Sequence, residues 1–573
     1  RRRIHQFTSD DVFQSFMNAY TQTLEPHTSY MSPSVSENFD ISMRLSLEGI
    51  GAVLQQEDEY TKVARLVAKG PADKQGELKP ADRIVGVGQG ESGPIEDVIG
   101  WRLDEVVELI RGPKDSTVRL EVLPAKAKAA DEHKIVTIVR NKVKLEEQSA
   151  QKKILEIPDG EKTIKVGVID IPAFYIDFDA MRRGDEDYKS TTRDVKLLLD
   201  ELQNEGVEGI VVDLRNNRAG SLQEANDLTG LFIEYGPTVQ IRHSSRKVFR
   251  DGKRLRTPYY DGPLVVLINR LSASASEIFA GAIQDYGRGL IIGEPTFGKG
   301  TVQTLVDLGR FLRSREDIGR LRLTMAQFFR VEGGSTQHRG VTPDIVFPTS
   351  KGAETHGERS LDNALPWASI KPARHTQIGQ TAVTGIRQAS ERRVAQNPGF
   401  SFLVEEEDDL IALEERKTVS LRESVRRAEW EAREQARLER RNRLREFRGL
   451  EPLSSLDDEE DAEVADGDDD EEGIQRIMLE ESVNILADYI DLGGKIIMAG
   501  FAWDDPAYRD GVIKPEHLPA EATDRNPQQE ILEDLDMALE VYGAQAVRTI
   551  FLADGNTAVL PTEKLVAICV AAR

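Results

Sequence analysis

The chain has 573 residues, which at roughly 150 residues per domain predicts about four units and excludes a single hydrophobic core. The net charge of −24 argues against a nucleic-acid partner, because phosphate binding requires clustered Lys and Arg. A single cysteine, Cys569, excludes an internal disulfide and a Cys-rich metal site, and no apolar run reaches the ~18 residues of a transmembrane segment.

Residues 1–44 are predicted to form a helical N-terminal region. The chain opens on three arginines inside a helical pattern, without an initiator Met or a signal-peptide pattern, so we interpret it as a fragment or a processed form that is truncated at its start. Residues 45–125 contain the strand patterns GIGAVL, YTKVARLV, DRIVGVG and TVRLEVLP and one helix, RLDEVVELIRG, closed by Gly112 and Pro113. This order predicts a small β-rich binding module.

Residues 126–350 alternate apolar strands with longer helices, which predicts an α/β layer structure of catalytic size. Residues 351–456 are charged and helical, and interleaved Glu and Arg indicate a solvated, salt-bridge-laced helix or hairpin. The acidic tract 457–472 contributes about half of the net charge and is predicted to be a linker. Residues 473–573 are predicted to be an independently foldable C-terminal segment, without an assigned function.

The segment NRLSASASEIF places three serines directly after the buried strand PLVVLIN and at the start of an amphipathic helix: Ser272, Ser274 and Ser276. A serine there faces free backbone N–H groups and the helix dipole, which favour a developing oxyanion. Several hydrolase folds expose a nucleophilic serine at such a strand–turn–helix junction. An ordinary N-cap serine is the alternative, and this segment alone does not decide between the two.

A second candidate follows the apolar strand GLIIGE, where Lys299 stands between Gly298 and Gly300. A lysine flanked by small residues can be pressed into a protein interior, where desolvation lowers its pKa from about 10.4 towards the ~7–8 that a general base needs. Gln303 shares a face with Lys299 if this piece is extended, so its amide oxygen can orient the amine. A solvent-facing loop lysine is the alternative.

Two glycine patterns resemble nucleotide sites but lack an essential feature. GEPTFGKG matches a Walker A loop through Gly293, Gly298 and Lys299, but Gly300 stands where the Mg²⁺-binding Ser or Thr is needed. GQGESG, from Gly88 to Gly93, fits a dinucleotide fingerprint but precedes no helix, so we interpret it as a turn.

A Ser-His-Asp triad is the other conventional arrangement, with His243 or His338 as the base. Neither has a strand-end context, and we expect both to be surface histidines. After the strand GIVVDLR, backbone N–H groups near Gly220 can form an anion-binding nest, unless the segment is a plain strand-to-helix turn.

Seven motifs occur in the order seen in the C-terminal processing proteases, peptidase family S41: SLEGIGAVL, DVIGWRLDEVV, DLRNN, SASASEIF, QDYGR, GEPTFGKGTVQ and STQHRGVTPDI. The chain is most similar to the tail-specific branch of this family in the Gram-negative periplasm, from LEPHTSYMSP to about Leu486. The resemblance implies a multidomain α/β fold. It implies a ClpP/crotonase-like α/β protease core with an inserted PDZ domain and helical N- and C-terminal regions, and a reaction that requires no cofactor or metal.

The resemblance also implies roles for seven residues of the core. They are the nucleophile Ser274, the general base Lys299, its partner Gln303, the oxyanion-hole donors Gly220 and Ala275, and the supporting acids Glu277 and Asp285. In the PDZ domain it implies that Leu47, Gly49, Ile50 and Gly51 line the carboxylate-binding loop and that Val106 and Ile110 touch the last substrate side chains. A terminal carboxylate in a backbone nest, with the tail added as a strand, fits that loop.

The substrates implied by the resemblance are proteins with unstructured, apolar C-terminal tails in the periplasm, with a lipoprotein adaptor and a role in peptidoglycan turnover. The sequence departs from the family at Arg218 and Ala219, where a glycine-rich turn is expected, and from about Gly494 onward. The competing hypothesis is a catalytically impaired PDZ scaffold that binds tails without cleaving them. An ATP-driven unfoldase is disfavoured by Gly300.

Overall fold

The computed structural model describes residues 7–125, 133–159, 162–245, 247–253, 257–311, 317–349, 356–377, 383–456 and 473–492. The chain divides into two compact units, one from residues 1–16, 32–149 and 175–190 and one from residues 17–31, 150–174 and 191–573. Within the described ranges, no helix is both long and apolar enough to cross a membrane. The predicted acidic linker and the predicted C-terminal segment beyond residue 492 lie outside the described residues.

Short strands dominate the chain up to residue 149, and longer helices follow. Up to residue 149 the elements are α1 (Ser9–Gln22), β1 (Ser29–Met31), α2 (Pro33–Arg44), β2 (Ser46–Gly49), β3 (Ala52–Glu57), β4 (Tyr60–Leu66), α3 (Pro71–Gln75), β5 (Arg83–Gln89), β6 (Ile95–Asp97), α4 (Leu103–Ile110), β7 (Thr117–Leu123), β8 (Lys134–Val139) and β9 (Asn141–Lys144). From residue 150 to 349 they are β10 (Gln151–Asp159), β11 (Lys162–Asp170), α5 (Phe178–Arg183), α6 (Thr191–Asn204), β12 (Gly209–Asp213), α7 (Leu222–Phe232), β13 (Gly236–His243), β14 (Val248–Lys253), β15 (Leu264–Ile268), α8 (Ala275–Asp285), β16 (Leu290–Gly293), β17 (Thr301–Asp307), β18 (Arg320–Phe329) and β19 (Ile345–Val346). Beyond residue 349 they are α9 (Val383–Gln396), α10 (Pro398–Glu414), α11 (Glu423–Arg448) and α12 (Ile477–Asp491).

The first unit is a small antiparallel sheet covered by α4. Its strands follow the order β3-β4-β5-β7-β8, with β6 beside β5, and β2 pairs separately with β9. The predicted strands and the predicted helix are all present, because their alternating apolar residues face one core that includes Val63, Ile84, Leu120 and Val122. Strand β3 lies at the edge of this sheet, so one row of its backbone groups has no partner strand among the described residues.

The second unit is built on a six-stranded sheet in the order β10-β11-β12-β15-β16-β19, parallel except for β10. Strands β12, β15 and β16 are buried along their whole length, as their runs of Val, Ile and Leu predict. Val212 and Val266 belong to the core on one face, which contains residues of α6, α7 and α8, while Val211 and Val265 belong to the core on the other face. The second core contains residues of α9, α10, α11 and α12, so α12 is part of the catalytic-sized unit.

A second, antiparallel sheet of this unit is centred on β18. Strand β17 pairs along one side of β18, from Arg320 to Gln327. On the other side, β1 pairs with residues 320–322 and β13 pairs with residues 326–329, and β14 continues the sheet beyond β13. The short strand β1 therefore brings the N-terminal region of the chain into the sheet that carries β17.

The charged segment after α9 forms two helices, α10 and α11, joined by ion pairs. Arg440 lies 2.7 Å from Glu406, and Arg443 lies 2.5 Å from Glu405. Near the turn between the helices, Arg416 lies 2.6 Å from Glu429. The prediction of salt-bridge-laced helices is confirmed for this stretch.

Candidate active site

Three of the predicted site residues follow neighbouring parallel strands at their carboxyl ends. Gly220 comes after β12, Ser274 after β15 and Lys299 after β16. Because carboxyl ends of parallel strands meet at one edge of the sheet, the fold brings residues 79 positions apart to the same place.

Ser274 precedes the first turn of α8 with φ 55° and ψ −103°. A left-handed conformation at a residue with a side chain costs about 1–3 kcal/mol and persists only where the surroundings enforce it. The flanking hydroxyls are committed elsewhere, since Ser272 Oγ donates to the Leu214 carbonyl at 2.8 Å and Ser276 Oγ donates to the Asn217 carbonyl at 3.0 Å. Both flanking serines are fully buried, whereas Ser274 is partly exposed, so Ser274 is the accessible member of the three.

The turn after β12 is bonded to the serine turn. The Ala273 N–H donates to the Asn217 carbonyl at 3.0 Å. At Gly220 a Cβ atom would lie 2.2 Å from the carbonyl oxygen of Phe174, so glycine is required there for the close approach of two backbones. Among the described residues, no hydrogen bond uses the N–H of Gly220 or of Ala275, which leaves both donors open in the two turns that the Ala273–Asn217 hydrogen bond joins.

The departure from the family motif lies in this same turn. Arg218 and Ala219 are both exposed, and the Ala219 carbonyl accepts a hydrogen bond from the Phe174 N–H at 3.3 Å. The extra side chains therefore lie at the surface, and the backbone on which the Gly220 N–H depends is held by Phe174.

Lys299 and Gln303 are brought together by the extended chain that begins β17. Lys299 Nζ donates to Gln303 Oε1 at 2.5 Å. The amide nitrogen of Gln303 donates to Thr301 Oγ1 at 2.9 Å and to Thr324 Oγ1 at 3.0 Å, so the amide oxygen is turned towards the amine. The two threonines were missed by sequence reasoning; the alternation of side chains along β17 signals Thr301, but Thr324 lies on a neighbouring strand.

The Lys299 amine lies in a largely enclosed site. Desolvation lowers the pKa of Lys299 to about 8, and the positive charge of Arg322 acts in the same direction, while Glu358, Glu25 and Glu277 act in the opposite direction. Roughly a tenth of the amine is therefore neutral at pH 7, far more than for a lysine with an unshifted pKa, and the neutral form is the one that a general base requires.

The carboxylate of Glu277 joins the two halves of the site. Its Oε2 accepts the backbone N–H of Ser274 at 2.7 Å and that of Lys299 at 3.0 Å, and its Oε1 accepts the Gly298 N–H and the Thr296 hydroxyl, each at 2.7 Å. Burial raises the pKa of Glu277 to about 7, against these four hydrogen bonds, which favour the ionised form. One buried carboxylate thus fixes the backbone of the serine and of the lysine relative to each other. No hydrogen bond of the described residues joins the Ser274 hydroxyl to the Lys299 amine directly.

The glycines beside Lys299 allow a loop to close on it. A Cβ at Gly300 would lie 2.5 Å from Ser335 Oγ and 2.8 Å from the Gln337 nitrogen, and one at Gly298 would lie 3.1 Å from the His338 backbone. Gly300, which breaks the Walker A pattern, is therefore required for packing.

Neither candidate histidine takes the place of the lysine. His243 ends β13, and its ring packs edge-on against Phe249 with centroids 5.1 Å apart. The prediction that His338 is a surface histidine is wrong: the residue is half-buried with φ 65°, and its Nε2 is buried without a hydrogen-bond partner among the described residues. His338 belongs to the loop that packs on Gly298, which the sequence did not indicate.

Asp285 lies at the opposite end of α8 from the serine. It is 2% exposed and forms an ion pair with Arg330, and it also accepts the Glu332 N–H at 3.2 Å. The helix that carries Ser274 is thereby anchored at its far end to the chain that follows β18.

Four family models match the chain. They are the tail specific protease N-terminal domain at residues 1–34, the PDZ domain at 39–123, peptidase family S41 at 165–347 and the C-terminal domain of tail specific protease at 352–491. The tail-specific protease of Haemophilus influenzae is 41% identical over 496 residues, which are 85% of this chain and 67% of that protein. The chain belongs to the tail-specific proteases of peptidase family S41.

The similarity extends to more distant members of the family. The carboxy-terminal processing protease CtpA of Bacillus subtilis is 29% identical over 346 residues, 60% of this protease and 65% of the relative. This chain therefore spans about two thirds of the length of each of these two relatives. A solved PDZ domain of a carboxy-terminal protease from Vibrio cholerae, in complex with peptide, is 56% identical and covers 18% of this chain and 100% of that one, with a TM-score of 0.17.

In the PDZ domain of the protease, the predicted carboxylate loop joins β2 to β3. Leu47 and Gly49 belong to β2, Ile50 is buried, and Gly51 has φ 76°. The structure places Val106 and Ile110 in the core of the domain, 0% and 3% exposed.

A neighbouring stripe of α4 is better exposed than Val106 and Ile110. Leu103, Val107 and Arg111 are half-buried and lie four residues apart, and a Cβ at Gly49 would meet the Arg111 side chain at 3.9 Å. This stripe faces the carboxylate loop, and the sequence reasoning did not single it out.

The described residues contain no group of three or more His, Cys, Asp or Glu side chains that could hold a metal ion. The candidate site consists of a serine, an amine, an amide and open backbone donors, which are the chemical groups that a nucleophile, a base and an anion cradle require.

Proposed function

We propose that the protease cleaves proteins by acyl transfer, with Ser274 as nucleophile and Lys299 as general base. The observation that carries the proposal is the buried Glu277 carboxylate, which holds the backbone of both residues while Gln303 orients the amine. The lowered pKa of Lys299, about 8, suits the amine for taking a proton from a serine hydroxyl.

In the proposed reaction the neutral Lys299 amine takes the Ser274 proton as Oγ attacks the scissile carbonyl carbon. The oxyanion that forms lies within reach of the Gly220 and Ala275 N–H groups, which are open for it. The Lys299 ammonium then protonates the leaving amine and the peptide C–N bond breaks, which leaves a Ser274 ester. Water, deprotonated by Lys299, attacks this ester and releases the new carboxyl terminus and the serine.

We further propose that the PDZ domain selects substrates by their C-terminal tails. The free edge of β3 can accept an extended peptide as an additional strand, and the loop from Gly49 to Gly51 lies where the terminal carboxylate would end. Leu103 and Val107 on α4 would then contact apolar side chains of the tail, and substrates with unstructured, apolar C-termini follow from that pairing.

Family membership extends this proposal to the cellular setting. We place the protease in the periplasm, with protein substrates delivered by a lipoprotein adaptor and with a role in peptidoglycan turnover. The support is the match to tail-specific proteases along most of the chain.

The alternative is a scaffold that binds tails without cleaving them. Its one favourable observation is the sequence Arg218-Ala219 in place of a glycine-rich turn. Both side chains are exposed, and the Gly220 N–H stays open, which weakens this alternative.

The test follows cleavage of an unfolded protein with an apolar C-terminal tail by the unmodified protease, Ser274→Ala, Lys299→Ala and the exposed control Lys371→Ala. We expect both active-site variants to lose at least about a thousandfold in rate, with unchanged tail binding, because nucleophile and base act as a unit. The control retains the full rate. A charged tail on the same substrate raises KM.

Cleavage that survives in Ser274→Ala would contradict the assignment of the nucleophile. Tail binding without cleavage by the unmodified protease would favour the scaffold.

A further inference from the structure

Glu25 is a buried acid that the proposed mechanism does not use. It follows α1, in the segment Leu24–Met31, which we call the N-terminal strap, and it is 0% exposed. Neither of its carboxylate oxygens has a hydrogen-bond partner among the described residues. A buried carboxylate without donors is costly, and folded proteins keep one only where nearby charge or function compensates.

The path of the strap leads to the orienting glutamine. Strand β1 pairs Ser29 with Arg322 in antiparallel register, so the residues before Ser29 run along β18 towards Thr324. The Thr324 N–H donates to Thr28 Oγ1 at 3.4 Å, and the Thr324 hydroxyl accepts the Gln303 amide at 3.0 Å. The strap therefore lies directly behind the group that holds the Lys299 amine.

A second connection runs from the strap to the backbone beside Lys299. His27 Nε2 lies 2.7 Å from Glu358 Oε2, and Glu358 Oε1 accepts the Gln337 amide at 2.8 Å. Gln337 Oε1 in turn accepts the Gly300 N–H at 2.8 Å. Three successive contacts thus link the strap to the residue that follows the lysine.

The charges of four groups act on the pKa of the Lys299 amine: Arg322, Glu358, Glu25 and Glu277. Glu277 is engaged by four donors, and Glu358 is engaged by His27 and Gln337. The guanidinium of Arg322 donates through Nε to the His27 carbonyl at 3.2 Å, and its positive charge opposes a second cation nearby. Among the described residues, Glu25 is the carboxylate of this set that has no hydrogen bond.

We propose that Glu25 is a positioning residue for Lys299, the counter-charge for the ammonium that forms when Lys299 accepts a proton. This inference rests on the proposed function of Lys299 as the base. The N-terminal strap thereby belongs to the active site of the second unit, and its carboxylate offsets two cations, the resident Arg322 guanidinium and the ammonium that forms during the reaction.

Loss of the Glu25 charge should lower the pKa of Lys299. Removal of a negative charge near Lys299 destabilises the ammonium, so the amine becomes a weaker base with a lower pKa. The acid limb of the kcat profile then moves to lower pH, while the plateau rate falls because the charge formed in the transition state has lost its partner. Loss of a structural contact alone would lower stability without moving the limb.

The experiment measures single-turnover cleavage of a tailed substrate from about pH 5.5 to about pH 9.5 by the unmodified protease, Glu25→Gln, Glu25→Asp and the exposed control Glu391→Gln. For Glu25→Gln we expect the acid limb to move down by about one pH unit, about a tenfold lower plateau and unchanged KM. Glu25→Asp should keep most of the unmodified plateau rate and shift the acid limb much less. The pH profile of Glu391→Gln should superimpose on that of the unmodified protease.

The proposal is overturned if the Glu25→Gln profile superimposes on that of the unmodified protease, or if activity falls only in proportion to a lower Tm with the limb unmoved. If Glu25→Gln does not fold, Glu25→Asp decides: a smaller shift of the same sign supports the proposal and an unmoved limb overturns it. Parallel measurements on Lys299→Ala separate the role of Glu25 from the role of Lys299. Full activity of Lys299→Ala would contradict the assignment of Lys299 as the base.

Discussion

The peptide-binding module and the catalytic core are proposed to use different groups: backbone groups in the module and side chains in the core. In the PDZ domain the proposed functional groups are the free edge of β3 and the backbone between Gly49 and Gly51. In the core they are side chains held in a buried hydrogen-bond network around Glu277. Backbone recognition involves no titrating group, whereas a buried charge cluster does, so the two regions are expected to respond differently to pH and to active-site substitutions.

The largest difference between the effect on kcat and the effect on tail affinity is expected from Gly220→Ala. Its Cβ would lie 2.2 Å from the Phe174 carbonyl oxygen, so the turn must move and the Gly220 N–H leaves its place beside the serine. We expect kcat to fall by about a hundredfold to a thousandfold, as for loss of an oxyanion donor, with tail affinity unchanged.

The matched control is Gly206→Ala, which has a positive φ of 76° but no atom within 4 Å of the added Cβ. It places an alanine at a positive φ without the clash, and steady-state kinetics on both variants separate a general cost of backbone strain from the loss of the donor. Equal losses in both would show that strain and not the oxyanion donor is responsible.

A second contrast is expected from pH. Because the pKa of Lys299 is lowered to about 8 and only the neutral amine accepts a proton, kcat/KM should fall about tenfold per pH unit below 8 and level off above it. Tail affinity, which depends on backbone groups, should stay flat from about pH 6 to about pH 9. Parallel rate and binding titrations test this, and a flat rate profile would rule out Lys299 as the base.

The smallest contrast is expected from two neighbouring valines of α4. Val107→Ala should weaken tail binding about fivefold to tenfold with little change in stability, because Val107 is half-buried on the stripe that faces the carboxylate loop. Val106→Ala should instead lower the free energy of unfolding by about 2 kcal/mol, because Val106 is 0% exposed in the core. Peptide-binding and thermal-unfolding measurements on both variants test this. Weaker binding in Val106→Ala together with lower stability in Val107→Ala would show that the two roles are reversed.

Much of the fold was predictable because it is local. Period-two apolar patterns predicted β3, β4, β5 and β7, and continuous Val, Ile and Leu runs predicted the buried strands β12, β15 and β16. The part of α12 within the described residues was missed as a member of the catalytic-sized unit, since an apolar helical face does not reveal the sheet on which it packs.

The sequence by itself determined the candidate chemical groups of the protease: a serine at a strand–turn–helix junction, a lysine between glycines, a nearby glutamine and a small β-rich module. Each depends on neighbours within a few positions, where spacing specifies geometry. Only the tertiary structure decided that Thr324 turns the Gln303 amide, that Glu277 bridges two backbone N–H groups, and that Glu25 lies buried near Lys299. Glu25 and Lys299 are 274 residues apart, and the charge of one acts on the other because strand β1 pairs with β18, which no local pattern encodes.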